Sequence, residues 1–317
     1  MDPIQQIFLR DGETEITLLS VGCAVQDWRV AGQRVVLGYA DPEAYRFNPK
    51  SMGIVVGRVA NRTAGARFDL DGITWELPAN NGPHHLHGGP GGLGWQTWQV
   101  TQESDRAVRF GLVSPHLDQG YPGEVRFSVR MSLQDNTLTW EMEAVPDRVT
   151  PVNLAQHVYF NLAGSGSVRG HRLQIAASQC TPTGPDLIPT GQLLPVQGTR
   201  FDFRAPRQID TADPDCLGYD LNYALDAPSG NTPQVRAQAQ GLELSLTTDQ
   251  PGLQLYTGNT LAQAAPPHPG QSHDAFGGLC LEAQAFPNAL NQPGFGAILC
   301  APDKPYRQVT RVRIAPA

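Results

Sequence analysis

The sequence has almost no lysine and no cluster of basic residues. Only Lys50 and Lys304 are lysines among its 23 basic residues, and the formal net charge is −7. Nucleic-acid-binding surfaces need clustered cations, so we expect no nucleic-acid partner. No apolar run approaches the roughly 20 residues of a membrane-spanning helix, and residues 1–6 lack the basic and apolar parts of a secretion signal. The sequence therefore predicts a cytoplasmic protein without a membrane partner.

Closely spaced cysteine pairs are also missing. Zinc sites use such pairs, and disulfide frameworks use an even number of cysteines. This chain has five, all widely separated, and we interpret every one as a small core residue of a protein in a reducing compartment: Cys23, Cys180, Cys216, Cys280 and Cys300.

Sustained helical periodicity is absent. Glycine and proline, with 33 and 27 residues, are unusually frequent, and both disfavour helix interiors. Asp41–Tyr45 predicts a single helical turn, with Asp41 as the N-cap and Pro42 in the first helical position. Elsewhere apolar and polar residues alternate, most clearly in these segments: Ala107–Val113, Glu124–Gln134, Thr137–Val145, Leu242–Thr248, Gln254–Thr257 and Val309–Ile314. The pattern predicts an all-β chain that folds as a large antiparallel β-sandwich.

Nothing in the chain divides it into parts. We find no internal repeat and no linker, and therefore expect residues 1–317 to form a single domain. The proline-rich segments Pro228–Pro233 and Ala262–His273 are interpreted as surface loops, because such segments cannot pair inside a sheet.

The segment Asn80–Gly94 concentrates histidine and glycine. On an extended strand His85 and His87 would point in the same direction, as in an H-x-H metal site. The next acid is Glu103, beyond a glycine-rich loop, so the carboxylate that would complete such a site is missing and we expect no metal. The glycines spell G-x-G-x-x-G, but no helical pattern follows that could bind a phosphate, so we expect no nucleotide cofactor either.

Three other polar residues lie in or beside apolar segments. His157 is either a core histidine bonded to an asparagine amide or an acid or base at the edge of a cleft. Glu282 lies in an apolar strand, where an unpaired carboxylate is costly, and is either salt-bridged or a general base. Asp220 precedes a strand, where a turn or capping role would explain it equally well.

Seven segments occur in a characteristic order: Gly57–Gly72, Asn81–Gly94, Thr150–Gly164, Phe201–Phe203, Tyr219–Leu225, Leu255–Thr260 and Glu282–Asn291. Together they resemble the aldose 1-epimerase (galactose mutarotase) family. The resemblance implies a galactose mutarotase-like β-sandwich. It also implies interconversion of the α and β anomers of a free hexose, such as galactose or glucose, with no metal or organic cofactor.

The resemblance also implies roles for individual residues. His157 of the H-x-YFNL motif would be the general acid and Glu282 of the E-x-Q-x-x-P motif the general base. Ring opening needs a base for the anomeric hydroxyl proton and an acid for the ring oxygen, so we expect a protonated imidazole beside an ionised carboxylate. The expected sugar-binding residues are Asn61, Arg62, His87, Asp220 and Gln254.

Some positions depart from the family pattern, and two other functions stay open. His84, Thr63 and Leu221 stand where the family usually has Asn, Ile and His, which leaves the preferred sugar undecided. A hexose-6-phosphate mutarotase would share the fold but would need cations at the cleft. A non-catalytic sugar-binding module is the other alternative, which the presence of both His157 and Glu282 disfavours. The sequence leaves the oligomeric state, monomer or homodimer, open.

Overall fold

Strands make up nearly all the regular structure of the computed structural model, which describes residues 3–227 and 232–317. Within these ranges the one α-helix is Ile209–Ala212, and the remaining helical turns are of the 3-10 type: Pro42–Arg46, Ala64–Ala66, Leu93–Trp95, Asp118–Gly120, Val168–Gly170, Ala289–Asn291 and Pro293–Phe295. The predicted turn is confirmed, since the Asp41 carboxylate accepts the backbone N–H of Glu43 at 3.0 Å.

Three antiparallel sheets carry most of the strands. The strands of the largest sheet are, in spatial order, Gln99–Ser104, Ala107–Ser114, Val125–Gln134, Thr137–Pro146, Tyr306–Pro316, Leu242–Thr248, Val235–Ala239, Arg172–Ile175 and Arg207–Gln208. Those of the second are Tyr159–Phe160, Leu279–Gln284, Gly252–Tyr256, Asp220–Ala224, Gln179–Thr181 and Leu194–Pro195. Those of the third are Gln6–Asp11, Thr14–Leu19, Val25–Val30 and Gln33–Arg34.

Four two-stranded ribbons complete the strands of the described ranges. They pair Val55–Val56 with Ala155–Gln156, Arg62–Thr63 with His85–Leu86, Arg67–Leu70 with Ile73–Glu76, and Thr150–Pro151 with Leu299–Cys300. Every pairing between these strands is antiparallel. The all-β sandwich is therefore confirmed, and all six predicted strands are present with small shifts at their ends.

The alternation of apolar and polar residues along the strands determines which side of each strand faces the core. In Val125–Gln134 the odd-numbered apolar residues are buried and the residues between them face outward. One hydrophobic cluster takes in residues from all three sheets, from Ile7 near the start to Ile314 near the end. No helix in the described ranges is long and apolar enough to cross a membrane.

Two loop predictions are corrected in part. Ala262–His273 contains no strand, as expected, but it does not lie wholly on the surface, because His268 and His273 are buried. The ring of His268 bonds the Gln26 carbonyl at 3.0 Å, which draws the loop inward. In the other predicted loop, Pro228–Pro233, residues 228–231 lie outside the described residues.

The prediction that all five cysteines are core residues fails at one position. Cys216 is exposed, whereas the other four are buried, and all five are free thiols. Cys216 lies in the turn that follows the α-helix, with a positive φ of 57°, and its sulfur contacts the Arg169 guanidinium at the surface. Its sequence neighbours are those of a turn and not of a strand, so no sheet face carries it inward.

Candidate active site

The strand Leu279–Gln284 is buried on both faces, and its two faces differ in chemistry. Leu279 and Leu281 belong to the hydrophobic core, whereas Glu282 points to the opposite side, as the alternation of a strand requires. Burial on both sides explains why its sequence is so apolar around a single carboxylate. Glu282 is therefore held on a rigid strand in the middle of a sheet.

The next two strands of this sheet, Gly252–Tyr256 and Asp220–Ala224, add polar groups on the same face as Glu282. Gln254 lies directly opposite Glu282 across the pair of strands, and Asp220 is opposite Tyr256 on the next strand. The Gln254 amide donates to an Asp220 carboxylate oxygen at 2.6 Å. Asp220 is the first residue of its strand, whereas the sequence predicted it just before the strand. Its hydrogen bond to Gln254 gives it a role beyond that of a turn or capping residue.

His157 approaches Glu282 from a separate segment. Its backbone is fixed on both sides, because its N–H donates to the Ile54 carbonyl at 2.8 Å and its carbonyl accepts from Gly53 at 3.0 Å. The ring places Nε2 3.7 Å from Oε1 of Glu282. Both side chains are nearly inaccessible, with residue exposures of 6% and 2%. The two asparagines that flank it in the sequence donate elsewhere, Asn153 to the Ala285 carbonyl and Asn161 to the Gly166 and Gly277 carbonyls. His157 is therefore not a core histidine held by either amide.

His87 joins this pair because the chain turns sharply at it. Its φ is +54°, so the strand ends and the two histidines of the H-x-H motif diverge. His85 bonds the Pro78 carbonyl at 2.7 Å, whereas the His87 ring packs edge-on against His157, with ring centroids 5.2 Å apart. The expectation that both histidines point the same way is therefore wrong, because the backbone is not extended there.

Hydrogen bonding fixes the chemistry of His87. Its Nδ1 accepts the backbone N–H of Asn61 at 3.2 Å, so the proton of the neutral ring lies on Nε2. Potential ligand atoms of His87, His157 and Glu282 lie within 4.8 Å of one another, a spacing compatible with a metal. Metal ligation needs a nitrogen with a free lone pair, which Nε2 of His87 lacks in this arrangement. His87 therefore presents a hydrogen-bond donor, as a sugar hydroxyl requires.

Arg62 closes the polar ring on the far side of the site. Its Nε donates to the Asn81 side chain at 3.0 Å, and its Nη2 lies 3.7 Å from Asp220. A guanidinium has five N–H donors in a fixed plane. These contacts orient the group and leave donors for a ligand.

A cavity of about 330 Å³ lies between these groups, within the size range of small-molecule sites. All seven predicted residues line it: Asn61, Arg62, His87, His157, Asp220, Gln254 and Glu282. The sequence reasoning missed Lys50, Leu187 and Tyr256, which line it too. Tyr256 lies inside the segment Leu255–Thr260, and its pairing with Asp220 could have identified it as a site residue. Lys50 and Leu187 lie in loops, and nothing in the sequence of those loops points to the site.

Burial dominates the electrostatics of the pair. Burial lowers the pKa of His157 to about 4. Burial raises the pKa of Glu282 well above its usual value, as does the negative charge of Asp220, and Arg62 opposes this only in part. Burial therefore favours the uncharged form of both groups, a neutral imidazole and a protonated carboxyl group, and opposes the expected imidazolium beside a carboxylate. Either arrangement leaves a single proton on the pair.

Three oxygens of residues that line the cavity lack partners. Oε2 of Glu282, Oε1 of Gln254 and Oδ1 of Asn259 are buried without a hydrogen bond from any residue that the structure describes. Buried polar atoms in folded proteins are nearly always bonded, so unbonded ones beside a cavity indicate the position of a ligand or of water. The site therefore offers acceptors and donors side by side, as the recognition of hydroxyl groups requires.

Comparison with known proteins agrees with this geometry. The sequence profile of the aldose 1-epimerase family matches residues 5–313. The chain belongs to the aldose 1-epimerase family. It is 37% identical to galactose mutarotase from Rattus norvegicus over 97% of this chain and 93% of that protein. It is 38% identical to aldose 1-epimerase from Escherichia coli K12 over 87% of this chain and 82% of that one.

Solved structures of the family have the same fold. An aldose epimerase homologue from C. elegans superposes with a TM-score of 0.94 at 29% identity, covering 99% of this chain and 100% of its own. Galactose 1-epimerase from Lactobacillus acidophilus gives 0.84 at 25% identity, with 99% of each chain covered. The galactose mutarotase-like sandwich is therefore confirmed.

The three departures from the family pattern lie around the cavity and not in it. Leu221 belongs to the hydrophobic core, and Thr63 is fully buried. His84 accepts the Gly65 N–H at 3.1 Å, and its Nε2 lies 3.4 Å from Asp186. His84 therefore contacts the cavity wall of this aldose epimerase family member indirectly, through Asp186 beside Leu187 and through its backbone pairing with Asn81.

Proposed function

We propose that this protein interconverts the α and β anomers of a free hexose, galactose included. One observation carries the proposal: the buried groups His157 and Glu282 face each other at 3.7 Å in a cavity lined with sugar-compatible donors and acceptors. The isomerases named among its relatives support the reaction class. A binding module has no need of two buried ionisable groups whose pKa values are displaced in opposite directions.

The reaction needs two coupled proton transfers. Glu282 takes the proton of the anomeric hydroxyl while His157 gives a proton to the ring oxygen, so that the bond between C1 and the ring oxygen breaks and an aldehyde forms. Rotation about the C1–C2 bond exposes the other face, and the reverse transfers close the ring as the opposite anomer. No atom is gained or lost, and His157 and Glu282 together hold one proton throughout, which the reverse transfers return to His157.

Burial sets one condition on this assignment. The proton must lie on His157 when Glu282 acts as the base, whereas burial lowers the pKa of His157 and raises that of Glu282. We propose that bound sugar hydroxyls, by donating to the unpartnered Oε2 of Glu282, favour its ionised form. The two transfers exchange the roles of acid and base, so both groups must be able to hold the proton.

The remaining predicted residues are assigned to substrate binding. Nε2–H of His87 and the guanidinium of Arg62 donate to sugar oxygens, whereas Asp220 and Oε1 of Gln254 accept from sugar hydroxyls. The Gln254–Asp220 hydrogen bond of 2.6 Å holds both acceptors in place before the sugar arrives. Such preorganisation reduces the entropic cost of binding.

One observation favours a phosphorylated hexose, namely the presence of Lys50 on the cavity wall. A phosphate dianion is bound best by several uncommitted cations. Nζ of Lys50 already donates to the Thr260 carbonyl at 2.8 Å, and Arg62 is engaged by Asn81 and Asp220. We therefore favour the free sugar.

Saturation-transfer NMR of anomer exchange tests this choice. We expect fast exchange of galactose and glucose, unchanged in Lys50→Met and in the control Lys304→Met, which alters the other, exposed lysine. Exchange confined to the 6-phosphates, and lost only in Lys50→Met, would favour the phosphate enzyme. Sugar binding without exchange would favour the non-catalytic module.

Two wider inferences accompany this function. The five free cysteines support a reducing, cytoplasmic location. The hydrophobic cluster shared by all three sheets supports a single domain over the whole chain.

A further inference from the structure

The thiol of Cys280 lies directly behind His157. Its Sγ is 3.6 Å from Nδ1, the ring nitrogen that faces away from Glu282, and this distance is within the range of sulfur hydrogen bonds. Cys280 is completely buried and lies on the same face of its strand as Glu282, two residues along the chain. His157 therefore lies between a carboxyl group and a thiol that belong to one strand.

The backbone fixes this contact. Cys280 is the pairing partner of Tyr159, which lies two residues after His157. The side chain of Gln156 donates to the Leu281 carbonyl at 2.7 Å and so ties the histidine segment to the same strand. The ring of Tyr159 packs on His157, with centroids 5.1 Å apart. The sulfur is thus held at Nδ1 by strand register and ring packing together.

Proton transfer at Nε2 places a demand on Nδ1. Imidazole can accept or release a proton at Nε2 only while Nδ1 carries its own proton, because the neutral ring has one N–H and one lone pair. Nδ1–H then needs an acceptor. A thiol sulfur is a weak acceptor, and among the described side chains the Cys280 sulfur lies within hydrogen-bond distance of Nδ1.

We propose that Cys280 is a positioning residue for His157, whose sulfur accepts the Nδ1 proton and so keeps Nε2 available for proton exchange with the sugar. The inference rests on the proposed function of the site. A neutral sulfur stabilises the imidazolium far less than a carboxylate would, so His157 releases its proton as readily as it accepts one. An enzyme whose acid and base exchange roles in each turnover needs such a balance.

The surroundings keep this thiol neutral. Burial raises its pKa, as do the nearby charges of Glu282 and Asp220. The ionisable groups packed around His157 are Glu282, His87, Tyr159 and Cys280 itself. The thiol is therefore present as an uncharged partner over the pH range in which the enzyme works.

The tautomer of His157 is the direct readout. The ¹⁵N chemical shifts of its ring, identified by their loss in His157→Asn, distinguish Nδ1–H from Nε2–H in the wild-type protein. We expect Nδ1–H at neutral pH. An Nε2–H tautomer would overturn the proposal. This measurement needs no activity, so it is separate from a failure of the proposed function, which would appear as wild-type protein without anomer exchange.

Variants give a second, independent readout. Cys280→Ala should shift the tautomer towards Nε2–H and lower kcat about five- to tenfold, the effect of one ordinary hydrogen bond, with KM unchanged. Cys280→Ser, which restores an acceptor, should recover part of that loss. Cys300→Ala and Cys300→Ser are the matched controls, because Cys300 is also a buried thiol, bonded to the Thr150 carbonyl at 3.4 Å.

The outcomes separate positioning from packing. Loss of kcat in the Cys280 variants with the Cys300 variants normal, and a changed tautomer, supports the proposal. Unchanged kcat and tautomer in Cys280→Ala overturns it, as does a loss that follows melting temperature equally in both pairs. If Cys280→Ala does not fold, the wild-type tautomer and Cys280→Ser decide the question.

Discussion

Two glutamates on central strands of different sheets have opposite environments. Glu141, in the strand Thr137–Pro146 of the large sheet, is on the solvent side, where its carboxylate accepts from Arg130 at 2.7 Å. Glu282, in the second sheet, is on a buried face, where one of its oxygens has no partner among the described residues. Glu141 occupies an outward position of an alternating strand, whereas Glu282 lies in a strand that is buried on both faces. The layer that covers each face therefore decides what the carboxylate can do.

The physical consequence is a difference in charge. An exposed ion pair stays ionised and contributes about 0–1 kcal/mol to the free energy of unfolding. Burial disfavours the ionised form of the Glu282 carboxyl group and so raises its pKa. A carboxyl group of that kind destabilises the fold when it ionises, so its presence is better explained by reactivity than by stability.

Glu282→Gln should have the largest effect on activity. The amide keeps the shape but cannot accept a proton, so we expect a fall in kcat of about 10²–10⁴-fold while the sugar still binds. Glu141→Gln is the matched control and should leave kcat unchanged. Anomer-exchange kinetics and sugar-binding titration of both variants measure this, and a Glu282→Gln variant with more than half the wild-type rate would remove Glu282 from the mechanism.

The effect of Glu282→Gln on stability should not follow its effect on activity. Because the pKa of Glu282 is raised in the folded state, the folded protein resists ionisation, and its free energy of unfolding falls as pH rises above the ordinary glutamate range. Glu282→Gln lacks this cost, so at pH 8 its melting temperature should equal or exceed that of the wild type. A clear decrease, found in Glu282→Gln and not in Glu141→Gln, would identify Glu282 as part of a stabilising salt bridge.

Asp220→Asn should have a smaller effect, on the pH dependence and on binding. The negative charge of Asp220 raises the pKa of Glu282, so its removal should move the alkaline limit of kcat/KM to lower pH and raise KM. Asp249→Asn is a suitable control, since Asp249 is an exposed aspartate that bonds Val309 at the large sheet. An alkaline limit at the wild-type pH in Asp220→Asn would show that the charge does not act on the catalytic pair.

Removal of metal should have no effect. The Asn61 N–H occupies Nδ1 of His87 and leaves its Nε2 protonated, so His87 has no free ligand atom to join His157 and Glu282 in a metal site. Activity after dialysis against EDTA should therefore equal activity before it. Loss that a divalent cation restores would contradict the metal-free account.

Sequence reasoning predicted much of the fold and of the candidate site. Alternation and turn residues were sufficient for five of the nine strands of the large sheet, because each of the five has one face in the core and the other towards water. The other four, among them the largely exposed Gln99–Ser104, were not predicted. The family motifs placed seven residues in one cavity that local patterns alone could not have assembled. The direction of His87 was missed because it depends on a positive φ at one residue.

The protonation of the pair was also beyond the sequence. The family resemblance and the chemistry of ring opening implied an imidazolium and a carboxylate, but the pKa values of His157 and Glu282 depend on how much of the fold covers them. The contact between Cys280 and His157 depends in turn on the register of two strands far apart in the chain. Such properties arise from the tertiary structure, and no local pattern encodes them.

The most direct test of the account is the pH dependence of kcat/KM for the wild type and His157→Asn. In the free enzyme the activity requires one proton on the pair. The wild type should therefore lose activity at low pH as His157, with a pKa of about 4, takes up a second proton, and at high pH as Glu282 loses its own. His157→Asn should be much slower and should lose the acid limit that His157 sets. A wild-type profile without an alkaline limit, or a folded His157→Asn variant that retains the acid limit, would contradict the account.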